Sequence, residues 1–114
     1  MPMKVIIAGS RGIADKTVLN DAIQESGFAI TEVVSGCAKG VDKLGEEWAT
    51  ENNIPIKRFK TRWVHRGSGL DNNKKMIDYA DAAIILWDGV SKGTKHMIQS
   101  CQNTIPTFTV ELSC

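Results

Sequence analysis

Several things are scarce in this 114-residue chain, and each scarcity removes a class of function. The three cysteines, Cys37, Cys101 and Cys114, are odd in number and show no CxxC spacing. With only His65 and His96 beside them, no zinc set assembles, and reduced thiols in a cytoplasm fit best. Charge of one sign is lacking too: 14 basic and 13 acidic residues give a formal charge of +1, so any anion site must be local. No apolar stretch approaches the ~18 residues of a membrane span, and Met1-Pro2-Met3-Lys4 is not a signal-peptide start. The reading is therefore a cytoplasmic protein, in the host cytoplasm if virus-encoded, with no membrane partner. Repeats, low-complexity tracts and linkers are absent, and the length suits one core, so a single domain over 1–114 is expected.

What is present is an alternation of apolar runs and helical patterns. Lys4-Val5-Ile6-Ile7-Ala8 reads as a strand buried on both faces. Gly9-Ser10-Arg11-Gly12 ends it, Asp15 caps a helix with Val18, Leu19, Ala22 and Ile23 on one face, and Gly27 stops that helix. Ile30 to Val34 repeats the strand signal. After the Ser35 to Asp42 loop, Val41, Leu44, Trp48 and Ala49 recur at helical spacing, and Asn52-Asn53 closes the helix. Pro55 to Phe59 opens a third strand, followed by a basic stretch from Lys57 to Arg66 around Trp63. Met76, Ile77 and Ala80 mark a third helix. Ala82 to Trp87, the most apolar strand, is expected at the centre of the sheet; Met97, Ile98 and Cys101 mark a fourth helix, and Pro106 to Leu112 the last strand. The fold class is α/β, a Rossmann-like, doubly wound domain with a parallel sheet of about five strands.

In such sheets ligands bind beyond the carboxyl ends of the strands, where the winding reverses. Three polar loops follow strands directly: Gly9 to Gly12, Ser35 to Asp42, and Asp88-Gly89-Val90-Ser91-Lys92-Gly93-Thr94. The middle one, Ser35-Gly36-Cys37-Ala38-Lys39-Gly40-Val41-Asp42, reads as a phosphate cradle in which a Cβ at Gly40 would intrude on the anion, or as ordinary chain reversal. Arg11 either grips a phosphate or carboxylate or pairs with Asp42. Asp42 either accepts from a ribose hydroxyl or caps the helix it opens. Ser91 to Thr94 is an anion site or a simple cap. Trp63 stacks on a base or is partly buried, Trp48 belongs to the core, and Trp87 is core or pocket wall. A Walker A loop is excluded, because Ser10 and Asp15 stand where it needs glycines. The Gly67-x-Gly69 fragment lacks the third glycine of a dinucleotide fingerprint, and neither histidine has a triad partner in sequence.

Taken together, Gly9-Ser10-Arg11, Ser35-Gly36-x-Ala38-Lys39-Gly40-Val41-Asp42 and Trp87-Asp88-Gly89-x-Ser91-Lys92-Gly93-Thr94, with Asn73, Met76 and Tyr79-Ala80-Asp81, resemble the YspA-like branch of the SLOG superfamily. The resemblance covers nearly the whole chain. It implies a small Rossmann-like domain that binds nucleotides or nucleotide-derived signals, including NAD-derived and ADP-ribose-like molecules of bacterial antiviral systems. The superfamily's phosphoribohydrolases cleave base from ribose 5′-phosphate, and its DNA-processing members bind single strands. Two departures matter. The catalytic glutamate those hydrolases carry after glycine and threonine is missing, since Gly93-Thr94 is followed by Lys95-His96-Met97; relatives also place arginine where Asn72 stands.

The expectation is a non-catalytic protein that binds and sequesters an ADP-ribose-like or NAD-derived ligand, without cofactor or metal. Its expected contacts are Gly9, Ser10, Arg11, Ser35, Gly36, Ala38, Lys39, Gly40, Asp42, Trp63, Asn73, Trp87, Asp88, Gly89, Ser91, Lys92, Gly93 and Thr94. Two alternatives stand beside it: cleavage of a nucleoside monophosphate, with Asp42, Asp88 or Glu46 replacing the glutamate, and single-strand nucleic-acid binding through the Lys57 to Arg66 run. Neutral charge counts against nucleic acid as a partner. By the same resemblance a homo-oligomer, at least a dimer, is expected.

Overall fold

The computed structural model describes residues 2–60 and 68–112. In chain order the elements are β1 (Met3–Gly9), α1 (Lys16–Ser26), β2 (Ile30–Ser35), α2 (Val41–Glu51), β3 (Ile56–Arg58), α3 (Ser68–Tyr79), β4 (Ala82–Trp87), α4 (Lys92–Gln102) and β5 (Thr107–Glu111). The strands form one parallel sheet in the order β3-β2-β1-β4-β5. The fold is α/β and Rossmann-like.

Side-chain alternation along the strands builds two apolar layers. Val5, Ile7, Val33, Ile84 and Leu86 pack under α1 and α2 with Leu19, Ala22, Ile23, Leu44 and Ala49. Ile6, Ala8, Val34, Ala83 and Ile85 pack under α3 and α4 with Met76, Ile77, Met97, Ile98 and Cys101. Interior strands with both faces covered have no polar alternation, which is why β1 and β4 read as unbroken apolar runs. That signal does not rank them. The middle of the sheet is β1, with β4 beside it, so Ala82 to Trp87 is an interior strand and not the central one. The helices end as their sequences dictate. The Asp15 carboxylate accepts from Thr17 N at 2.9 Å at the start of α1, and Gly27 ends that helix in the left-handed region at φ 70°. Trp48 packs against the α1–α2 layer, as its spacing implied.

Between β1 and β4 the winding reverses, and close approach fixes that point. A Cβ on Gly9 would lie 2.1 Å from the Leu86 carbonyl oxygen and 2.8 Å from a Val41 methyl, so only glycine lets the end of β1 lie against both β4 and α2. No helix of the described residues is long and apolar enough to cross a membrane.

Candidate functional site

The carboxyl ends of β1, β2 and β4 open into a cleft of about 560 Å³, within the range of small-molecule sites. Its floor is the end of β1 at Ala8 and Gly9; Arg11 and Gly12 form one wall, Gly36, Ala38 and Asp42 a second, and Ser91, Gly93 and Thr94 at the start of α4 a third. The fourth wall comes from α3.

The three loops are tied to one another. Ser10 N donates to Leu86 O at 3.0 Å, and Ser10 Oγ accepts from Asp88 N at 3.0 Å, so the loops after β1 and β4 are joined at the switch point. The Asp88 carboxylate is occupied by its own loop: Oδ1 accepts from Val90 N at 2.9 Å and Ser91 N at 2.8 Å, and Oδ2 accepts from Ser91 Oγ at 2.8 Å. Those backbone donors hold its carboxyl down to about 2. Trp87 Nε1 donates to Ser91 O at 3.0 Å, and the ring packs on the α3–α4 layer. Gly40, at φ 78°, joins the middle loop to the first, since a Cβ there would meet the Ser10 and Arg11 carbonyl oxygens at 2.5 and 2.6 Å. It is closed off by protein backbone, so the expectation that a Cβ at Gly40 would intrude on an anion is replaced by a clash inside the fold.

The Ser35 to Asp42 loop differs most from its sequence reading. Gly36 N donates to Asp42 Oδ2 at 3.1 Å, Ala38 N to the same oxygen at 3.4 Å, and Cys37 N to Ser35 Oγ at 3.1 Å. The Gly36, Cys37 and Ala38 amides, which a phosphate cradle would present, are spent on the loop's own side chains. Nor does Asp42 cap α2, whose first residues receive no side-chain cap; its carboxylate folds back as the anion that organises the loop. Asp42 is 6% exposed and faces the cleft, and burial pushes its carboxyl up to about 6 against the pull of the Ala38, Gly36 and Gly9 amides. Ser35 is buried behind the loop, donating to Glu46 Oε2 at 2.6 Å, while Glu46 Oε1 receives Arg58 Nε and Nη2, each at 3.0 Å.

Positive character gathers on the other side. Among the described residues Arg11 makes no hydrogen bond or ion pair, with Asp42 or with any other group; it is exposed and lines the cleft. Ser91 is the N-cap of α4, and its hydroxyl donates to Asp88 instead of capping. The first intrahelical bond runs from Lys95 N to Ser91 O, so the amides of Lys92, Gly93 and Thr94 have no intrahelical acceptor where the positive end of the dipole meets the cleft.

Of the expected contacts, Gly9, Arg11, Gly36, Ala38, Asp42, Asn73, Ser91, Gly93 and Thr94 line the cleft. Ser10, Ser35, Gly40, Trp87, Asp88 and Gly89 lie behind or beside it in the loop framework, and Lys39 and Lys92 are exposed outside its lining. Trp63 lies outside the described residues, as does most of the basic run around it. Sequence reasoning missed Leu70, Asn72, Met76 and Met97, which give the cleft much of its apolar wall and one brace. Asn72 is buried, and its Nδ2 donates to Phe59 O at 2.6 Å, tying α3 to the end of β3. Of the three carboxylates that were candidates to replace a catalytic glutamate, only Asp42 lines the cleft.

A family model described as "YspA, cpYpsA-related SLOG family" matches residues 3–65. Searches of curated proteins and of solved structures give no match. The matched segment runs from β1 past β3 and carries two of the three loops, Gly9 to Gly12 and Ser35 to Asp42. It spans more than half of the chain, which belongs to the YspA, cpYpsA-related SLOG family.

Proposed function

We propose that the cleft binds a nucleotide-derived signal, ADP-ribose-like or NAD-derived, and sequesters it unchanged. SLOG membership supports a nucleotide-related ligand. The observation that carries the reading is the polarity of the cleft: a buried carboxylate, Asp42, on one wall, and an unpaired Arg11 with the amide end of α4 on the others. A sugar phosphate matches both ends. Its phosphate meets Arg11 and the Gly93 and Thr94 amides, its hydroxyls donate to Asp42, and a base lies against Leu70, Met76 and Met97. Holding without cleavage follows from the residues beyond Thr94. Where the related hydrolases carry a glutamate after glycine and threonine, this chain has Lys95-His96-Met97; of these only Met97 lines the cleft, and it brings no carboxylate to stabilise the positive charge that builds on the sugar as a glycosidic bond breaks.

Calorimetric titration with ADP-ribose, AMP and NAD tests the assignment. Wild type is expected to give saturable binding to at least one of them. Arg11→Ala is expected to weaken it by about 1.5–3 kcal/mol, the worth of a charge-assisted contact, with stability unchanged because no partner in the described fold is lost. No saturable binding by any of the three, or equal affinity in the variant, overturns it.

A further inference from the structure

The two edges of the sheet are built differently. At one end β3 has three residues, Ile56-Lys57-Arg58, preceded by Pro55 and followed within two residues by Lys60. Short, basic and proline-flanked, it has the features that keep one sheet from pairing with another. At the other end β5 has five residues, Thr107-Phe108-Thr109-Val110-Glu111, β-branched or aromatic up to the last and without a basic residue.

The ladder to β4 decides which backbone groups of β5 are free. Register is unbroken from Ala83 opposite Thr107 to Trp87 opposite Glu111. Ala83 N donates to Pro106 O at 2.9 Å, and Leu112 N donates to Trp87 O at 2.7 Å. Alternate residues of a parallel strand spend both backbone groups on the same neighbour, so Phe108 and Val110 face β4 and Thr107, Thr109 and Glu111 turn theirs outward. The described sheet has no strand beyond β5.

We propose that this edge pairs with β5 of a second copy, antiparallel about a twofold axis at Thr109, joining the two sheets into one. The strand is self-complementary in that register. Thr109 meets its own copy, Thr107 meets Glu111, and Phe108 meets Val110 on the face toward α1, where both side chains are only partly buried. An axis at Glu111 would set two carboxylates against each other, and an axis at Phe108 or Val110 would pair only two of the three outward residues of β5, whereas the axis at Thr109 pairs all three. Pairing of one five-residue edge buries less than the roughly 1,200–2,000 Å² of a standard stable interface, so the dimer forms with rising concentration. This inference stands apart from the ligand reading, because β5 does not line the cleft.

Sedimentation velocity from micromolar to millimolar protein, with amide exchange at both limits, tests it. The mass is expected to rise from 12.5 kDa toward twice that value, and the Thr107, Thr109 and Glu111 amides to exchange more slowly in the dimer. Thr109→Pro removes a donor that no group among the described residues uses, which edge strands tolerate, and is expected to keep the fold and stay monomeric. A monomer at every concentration, a dimer that leaves those amides unprotected, or a folded Thr109→Pro variant that still dimerises overturns the proposal. If that variant fails to fold, wild-type exchange decides.

Discussion

Asp42 is the residue at which loop geometry and electrostatics meet. Its carboxyl is raised from an ordinary 3.8 to about 6 because burial outweighs the amides it accepts from, with Glu46 adding a smaller push in the same direction. A raised carboxyl binds its proton more tightly in the folded state than in the unfolded one. The stability it contributes is therefore fully present below about pH 4 and is lost as pH rises through about 6, a change on the order of 3 kcal/mol. Urea unfolding across pH 4 to 7 is expected to show that slope in wild type and to lose it in Asp42→Asn. A slope persisting in the variant contradicts the assignment. If Asp42 also receives ligand hydroxyls, nucleotide affinity strengthens over the same interval, since the ionised carboxylate is the better acceptor. A ribose hydroxyl on Asp42 is one of the two sequence readings of that residue; its burial and its raised carboxyl were not legible. Asp42 at the start of a helix reads as a cap, and nothing in residue order shows that the Gly36 and Ala38 amides turn back to meet it.

The elements themselves were legible, because their signals are local. Asp15 and Gly27 bracket α1 at the positions their chemistry favours, and the buried strands stand out as β-branched runs. Met76 and Met97 were read as core by their spacing, and they are; each also borders the cleft, a double role that periodicity does not reveal. The loops hold two glycines whose roles part once the packing is known. Gly93 lies within α4, where a Cβ would meet nothing within 4 Å, yet it lines the cleft. Gly93→Ala is expected to stabilise the protein by up to about 1 kcal/mol through helix propensity while weakening nucleotide binding. Gly40→Ala is expected to destabilise by about 1–3 kcal/mol or more, from the left-handed φ and the backbone clash with the first loop. Thermal melts paired with titrations separate the two. A loss of stability in the first variant, or none in the second, contradicts these roles.

For the molecule as a whole, doubly wound topology brings three strand ends to one edge, and the loops there divide the work. Ser10, Gly40 and Asp88 lock the frame, Arg11 and the start of α4 supply the positive side, and Asp42 supplies the acidic one. The central claim is that this polarised cleft holds a nucleotide-derived ligand and returns it intact. Its most direct test is to incubate the protein with excess ADP-ribose, remove unbound ligand, denature by heat and resolve the released material by chromatography. The account predicts intact ADP-ribose in proportion to the protein. Ligand absent from the released fraction, or cleavage products that accumulate over many turnovers, would contradict it.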